Sequence, residues 1–81
     1  MKLADTVNMM ICEDYKERFK AEYHQLKIRI NGLESMLEKY EDGTLSFTPT
    51  SSYDLLNGQL KSMKLYMSYL EERAIIEMIQ L

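Results

Sequence analysis

The side chains in this sequence that could do chemistry are few and scattered. His24 is the sole histidine and has no cysteine or second histidine at metal-ligand spacing. It sits beside Tyr23 on a helix flank, where solvent exposure is expected. Ser51 and Ser52 have no nearby base and read as helix caps, not nucleophiles. Glu13 with Glu17, or Glu34 with Glu38, could bridge a cation, but helix-surface glutamates are usually solvated partners of lysines one turn away. No glycine-rich phosphate loop occurs. The chain is not expected to be an enzyme, and nothing in it asks for a cofactor or metal.

Binding chemistry is better represented. Arg29 and Asn31 flank Ile30, and Arg73 stands between Leu70 and Ala74. Each is a polar or charged side chain beside an apolar stripe. Such a side chain either snorkels to water over the seam or, where copies of the chain meet, joins others around one pocket. Arginine suits phosphate because its planar fork offers paired donors. The six tyrosines include several off the main stripes, and a tyrosine ring can stack on a nucleobase.

The elements that carry these residues are legible from periodicity. Phe19, Leu26, Ile30, Leu33, Leu37 and Tyr40 recur at helical spacing, with Tyr23 inside the one long step. Leu56, Leu60, Met63, Met67, Leu70 and Ala74 repeat the rhythm after a single break that contains Pro49. Each set falls on one helix face, and the pair predicts an antiparallel helical hairpin. The first long helix is expected over about 13–41, the connection over 42–51 and the second long helix over 52–79. Gly43 should end the first helix in the left-handed conformation, and Ser51 should cap the second, with Asp54 in its first turn. Leu45 and Phe47 are expected to fold back over the seam. Residues 1–12 read as a short N-terminal helix or an extension of the next. Val7, Ile11, Tyr15 and Phe19 at steps of four favour continuity, and Thr6 is a possible cap. Gly32, inside the first helix, is either a tolerated surface glycine or a point of close backbone approach.

Size and charge bound the function. At 81 residues the chain is one all-α domain, and a core this small gains from oligomerisation. Seven methionines and six tyrosines exceed what one two-helix seam buries, which predicts a helical homo-oligomer. A net charge of −3 argues against general DNA or RNA binding, but not against a small anion held by local cations. Cys12 is the only cysteine, so no intrachain disulfide forms, and it reads as a small buried apolar residue. No apolar run is long enough to span a bilayer, and no secretion-like start is present, so a soluble cytoplasmic protein is expected.

Two stretches carry a resemblance. In the second helix Leu55-Leu56-x-x-Gln59-Leu60-x-x-Met63-x-x-Tyr66-x-x-x-Leu70-x-x-Arg73 is similar to the signature of the phage anti-CBASS sponges of the second named type, which take up cyclic oligonucleotides. Tyr15-x-x-Arg18-Phe19-x-x-Glu22-x-x-x-Leu26-x-x-Arg29-Ile30-x-x-Leu33-x-x-Met36-Leu37 in the first helix resembles the same family. The resemblance spans about residues 14–74. It implies a compact helical hexamer that captures cyclic dinucleotides such as cGAMP between paired subunits, and cyclic trinucleotides where subunits converge. It implies sequestration without hydrolysis, which starves the host's messenger-activated effectors. Carried over by position, Tyr15 stacks on a base and Arg29 holds a phosphate at the dinucleotide site, while Arg73 and Asn31 serve the trinucleotide site. The family often has lysine where this chain has Arg29, and Asn31 replaces an expected hydroxyl-bearing side chain. Those departures bear on ligand choice and leave room for another cyclic or ADP-ribose-type messenger. The competing reading from the residues alone is a structural or adaptor coiled coil whose Met and Tyr side chains recognise a partner helix.

Overall fold

The computed structural model describes residues 1–81, and all of its regular secondary structure is helical. A 3-10 turn over Leu3–Thr6 runs directly into α1, Val7–Met10. The long helices follow as α2, Tyr15–Asp42, and α3, Tyr53–Ile76. The molecule is a rod of 43 × 24 × 17 Å.

The two apolar stripes meet as predicted. Phe19, Tyr23, Leu26, Ile30 and Leu37 of α2 form one cluster with Leu60, Leu70 and Ala74 of α3. Leu33, Leu56, Met63 and Met67 pack against it, half-buried. Tyr40, at the end of the first stripe, is exposed, and its ring meets Tyr53 at 5.6 Å between centroids. Cross-helix contacts fix the antiparallel register. Glu41 accepts a hydrogen bond from the Tyr53 hydroxyl, Lys64 pairs with Glu34, Tyr23 donates to Glu71 at 3.3 Å, and Arg73 lies over Phe19. Partner numbers rise along α3 as they fall along α2. Burial, and then the charge and hydrogen bond of Glu71, push the Tyr23 phenol above its ordinary range.

Both long helices end in the same way. Thr44 N–H donates to Lys39 at 2.9 Å and Gly43 N–H to Tyr40 at 3.4 Å, with Gly43 at φ 78°. This is a Schellman motif closed by the expected glycine. Ile79 N–H donates to Ala74 at 2.8 Å and Met78 N–H to Ile75 at 3.4 Å. The same motif therefore ends α3 at Ile76, short of the expected residue 79. Here the left-handed position is occupied by Met78, at φ 57°. Ile79 then turns back and buries itself beside Ala74, the apolar contact that accompanies this motif.

Several local expectations are corrected. Of the two readings of residues 1–12, the short N-terminal helix is the one observed, and the chain does not run continuously from residue 7 into α2. The Asp14 carboxylate caps α2 by accepting from Lys16 N–H at 3.0 Å. Arg18 pins the preceding turn by donating to the Cys12 and Glu13 carbonyls, each at 2.7 Å. Two capping devices at one place outweigh the step-of-four pattern, and Val7 and Ile11 are left exposed. The N-terminal segment instead folds back onto α2 alone, over the face that carries Ala21 and Gln25. Thr6 is fully buried there. It accepts from Gln25 at 2.9 Å and donates to the Leu3 carbonyl at 2.7 Å, so it caps nothing. Ser52, not Ser51, caps α3 by accepting from Leu55 N–H at 3.2 Å. His24 is half-buried edge-on to Tyr23, not free in solvent, and Cys12 is half-buried. Leu45 turns inward part of the way, whereas Phe47 stays exposed.

Two substitutions test this account in urea unfolding. Leu70→Ala removes the most buried leucine of the seam and should cost about 2–5 kcal/mol. Met78→Gly relieves a left-handed backbone position of a residue whose side chain is exposed, and should stabilise the chain by about 0.5–1 kcal/mol. A neutral or destabilising Met78→Gly would show that the C-terminal turn is not held in this geometry.

Candidate functional site

The residues expected to bind ligand all lie on the outside of the hairpin. Tyr15 is the first residue of α2, placed by the Asp14 cap, and about half its surface is open. Arg73 lies in the last turn of α3, and antiparallel packing brings that turn beside the start of α2. The Arg73 guanidinium rests on the face of Phe19 at 4.8 Å from the ring centre, a cation–π contact. Its Nε donates to Glu77 at 2.8 Å and one terminal nitrogen reaches the other carboxylate oxygen at 3.5 Å. The fork of Arg73 thus has one edge filled by Glu77 and one face against Phe19.

The electrostatics of this end follow from that pair. The hydrogen bond from Arg73, and then its charge, hold the Glu77 carboxyl below its ordinary range, with smaller pulls from Lys16 and the Tyr15 hydroxyl. In return the Glu77 hydrogen bond and charge hold Arg73 in its charged form, with Glu22 and Tyr15 adding to the effect. Tyr15, Phe19, Arg73 and Glu77 therefore form one constellation at the open end of the hairpin.

Arg29 and Asn31 are not part of it. Both are exposed on α2, and no carboxylate lies within ion-pair distance of Arg29. Residues two apart on a helix do not face each other, so the two point to different sides. Tyr15 and Arg29 lie about 21 Å apart along the helix axis. Arg73 stands level with Phe19, about 18 Å from the level of Asn31. A single chain joins Tyr15 to Arg73. It does not join Tyr15 to Arg29, or Arg73 to Asn31. Pockets made from those pairs need residues from different chains.

A second feature lies at the bend. Gly32, Ser35, Met36 and Lys39 of α2 and Thr44–Phe47 of the connection line an open cleft of about 660 Å³. Gly32 has open space where a side chain would be, so its bare backbone forms part of the wall. None of the four expected ligand residues lines this cleft. No group of three or more histidine, cysteine or acidic side chains is arranged to hold a metal ion. No helix is long and apolar enough to cross a membrane.

Sequence reasoning missed Glu77 and the second role of Phe19. Both were in reach: Arg73 and Glu77 stand at i, i+4, and Phe19 begins the first stripe, opposite the last turn of α3. The apolar face of α3 turned away from α2 carries Leu55, Leu65, Tyr66, Tyr69 and Ile76, all substantially exposed. Nothing within the chain covers it.

A family model described as Sequestin matches residues 13–76. The match takes in α2, the connection and α3, and the chain belongs to that family. No curated protein and no solved structure matches it.

The ion pair gives a direct test. Because the folded-state value of Glu77 is depressed, its contribution to stability is present above pH 4.5, the ordinary value, and is lost as pH falls through the depressed value. Carboxyl carbon NMR should show Glu77 titrating below 4.5, and Arg73→Ala should return it toward that value. A wild-type Glu77 that titrates at or above the ordinary value would rule the pair out in solution.

Proposed function

We propose that this Sequestin-family chain binds and sequesters cyclic oligonucleotide immune messengers without degrading them, and so blocks CBASS-type antiviral signalling in the host cytoplasm. The family name supports retention over turnover. The observation that carries the reading is the placement of the four binding residues. Tyr15, Arg29, Asn31 and Arg73 all stand on the outer surface, and those assigned to one ligand lie too far apart along the rod for one chain to close around it. Such residues become pockets when chains assemble. The uncovered apolar face of α3 supplies a surface for that assembly.

In this reading the chain is a homo-oligomer, with a hexamer as the expected state. Tyr15 of one copy stacks on a base of a cyclic dinucleotide, while Arg29 of a neighbour holds a phosphate. Arg73 and Asn31 converge on a cyclic trinucleotide where chains meet. Arg29 suits its role because its guanidinium has no internal acid to compete with a phosphate. An adaptor protein remains the alternative that the exposed α3 face favours, since an apolar helix face also fits a partner helix.

A thermal-shift panel read with native mass spectrometry tests both readings. A cyclic dinucleotide at about a hundred times its dissociation constant should stabilise the protein by roughly 2.7 kcal/mol, with subunits and ligand seen together. Tyr15→Ala and Arg29→Ala should each weaken dinucleotide binding roughly tenfold or more, the loss of a charge-assisted contact or a stacked ring, and leave subunit number unchanged. Messenger released by heating should be recovered intact. A lone chain with no shift across cyclic di- and trinucleotides would sink the sponge reading, and recovery of a stoichiometric protein partner instead would establish the adaptor.

A further inference from the structure

We propose that Glu77 is a built-in counter-anion of Arg73, a specificity residue that neutralises the guanidinium and sets how much phosphate a ligand must bring to engage it. The inference rests on the reading of Arg73 as a phosphate-holding residue. It adds the group that opposes simple anions at that position.

The geometry is specific. Glu77 takes the side edge of the Arg73 fork, at 2.8 Å from Nε and 3.5 Å from one terminal nitrogen. Phe19 covers one face of the guanidinium. The end-on edge formed by the two terminal nitrogens is what remains for an incoming phosphate. The Glu77 side chain is also the more enclosed partner, 27% exposed against 52% for Arg73.

The helix dipole does not favour an acid at this position. Glu77 is the C-cap of α3, where the negative end of the helix dipole disfavours a carboxylate. An i, i+4 pair with the acid on the C-terminal side is also the weaker orientation. What holds Glu77 is local: the Arg73 fork, with Lys16 and the Tyr15 hydroxyl adding smaller pulls. A residue that breaks a local rule at a binding surface is a candidate for function.

The consequence is electrostatic. A phosphate on the free edge of Arg73 would lie roughly 6 Å from the Glu77 carboxylate, and at that range the repulsion lowers affinity by about three- to thirtyfold. Inorganic phosphates and mononucleotides meet a nearly neutral pair and have little else to hold. A cyclic oligonucleotide carries several phosphates and bases and offsets the loss through contacts elsewhere. Glu77 therefore favours the multiply phosphorylated ligand by penalising the simple one, which is discrimination by a repulsive element.

Calorimetric titration with inorganic pyrophosphate and a cyclic triadenylate tests the proposal on wild type, Glu77→Gln, Arg73→Ala and the Glu77→Gln/Arg73→Ala double variant. Glutamine keeps an oxygen acceptor for Nε and removes only the charge. Glu77→Gln should bind pyrophosphate about three- to thirtyfold more tightly than wild type, the double variant should lose that gain, and preference for the cyclic trinucleotide over pyrophosphate should shrink. Unchanged, weaker or undetectable pyrophosphate binding by Glu77→Gln would overturn it, as would a gain that survives in the double variant. If the wild type ignores the cyclic trinucleotide, the trinucleotide role of Arg73 falls, while the pyrophosphate series still decides the role of Glu77.

Discussion

Two helices can share only one seam, and the rest of this molecule is shaped by that limit. The α2–α3 interface buries Phe19, Leu26, Ile30 and Leu37 against Leu60, Leu70 and Ala74. A single stripe on each helix is all that a hairpin can remove from water. α2 gains a second covered face because the N-terminal segment returns over Ala21 and Gln25. α3 gains none. Its outer leucines, tyrosines and isoleucine remain in solvent, so the chain meets assembly or a partner with an apolar face already formed. The Schellman turns at both helix ends keep the rods short and define where that face stops.

The polar contacts that matter run along the edges of the seam, each with one partner exposed to water. Tyr23 reaches across to Glu71 from within the core. Arg73 lies over Phe19 and against Glu77 at the open end. Arg29 differs from both, because it stands exposed with no acid beside it. The two arginines assigned to ligand thus present different chemistry: one is free, and the other is already engaged. On the proposed function, a difference in ligand between their sites would follow from that contrast without any difference in residue type.

Much of the fold was legible because helical period is a local signal. The two stripes, the antiparallel pairing and the glycine that ends α2 each depend on residues close together in sequence. The failures share a physical cause. The step-of-four run through Val7, Ile11, Tyr15 and Phe19 suggested continuity, but the Asp14 cap and the Arg18 bonds to two carbonyls made a turn the better solution. Burial of Thr6 and half-burial of His24 depend on a segment folding back from a distance. α3 ends at Ile76, short of where its periodicity runs, and no glycine or proline in its sequence marks the stop. Met78 takes the position a glycine usually holds, in exchange for burying Ile79. Of the site, the residue types were readable, and so was the i, i+4 spacing of Arg73 and Glu77. The meeting of Tyr15 with Arg73 was not, because it depends on the register between two helices and joins residues 58 apart in sequence.

That register also constrains what any ligand can do to the protein. A small anion gripped by residues of different chains binds only the assembled form, so its free energy adds to that of assembly. Tyr15 and Arg73 share Glu77 as a neighbour within one chain, although the resemblance assigns them to different ligands. On the proposed reading the wall between two pockets is therefore one end of the hairpin, where the start of α2 meets the end of α3, held by a cap, a stacked guanidinium and one carboxylate. Rigid placement of that end serves retention. The proposed function needs slow release and no chemistry, and side chains fixed before the ligand arrives lose less entropy on binding. The Asp14 cap and the Phe19 contact supply that fixation from the same elements that build the fold.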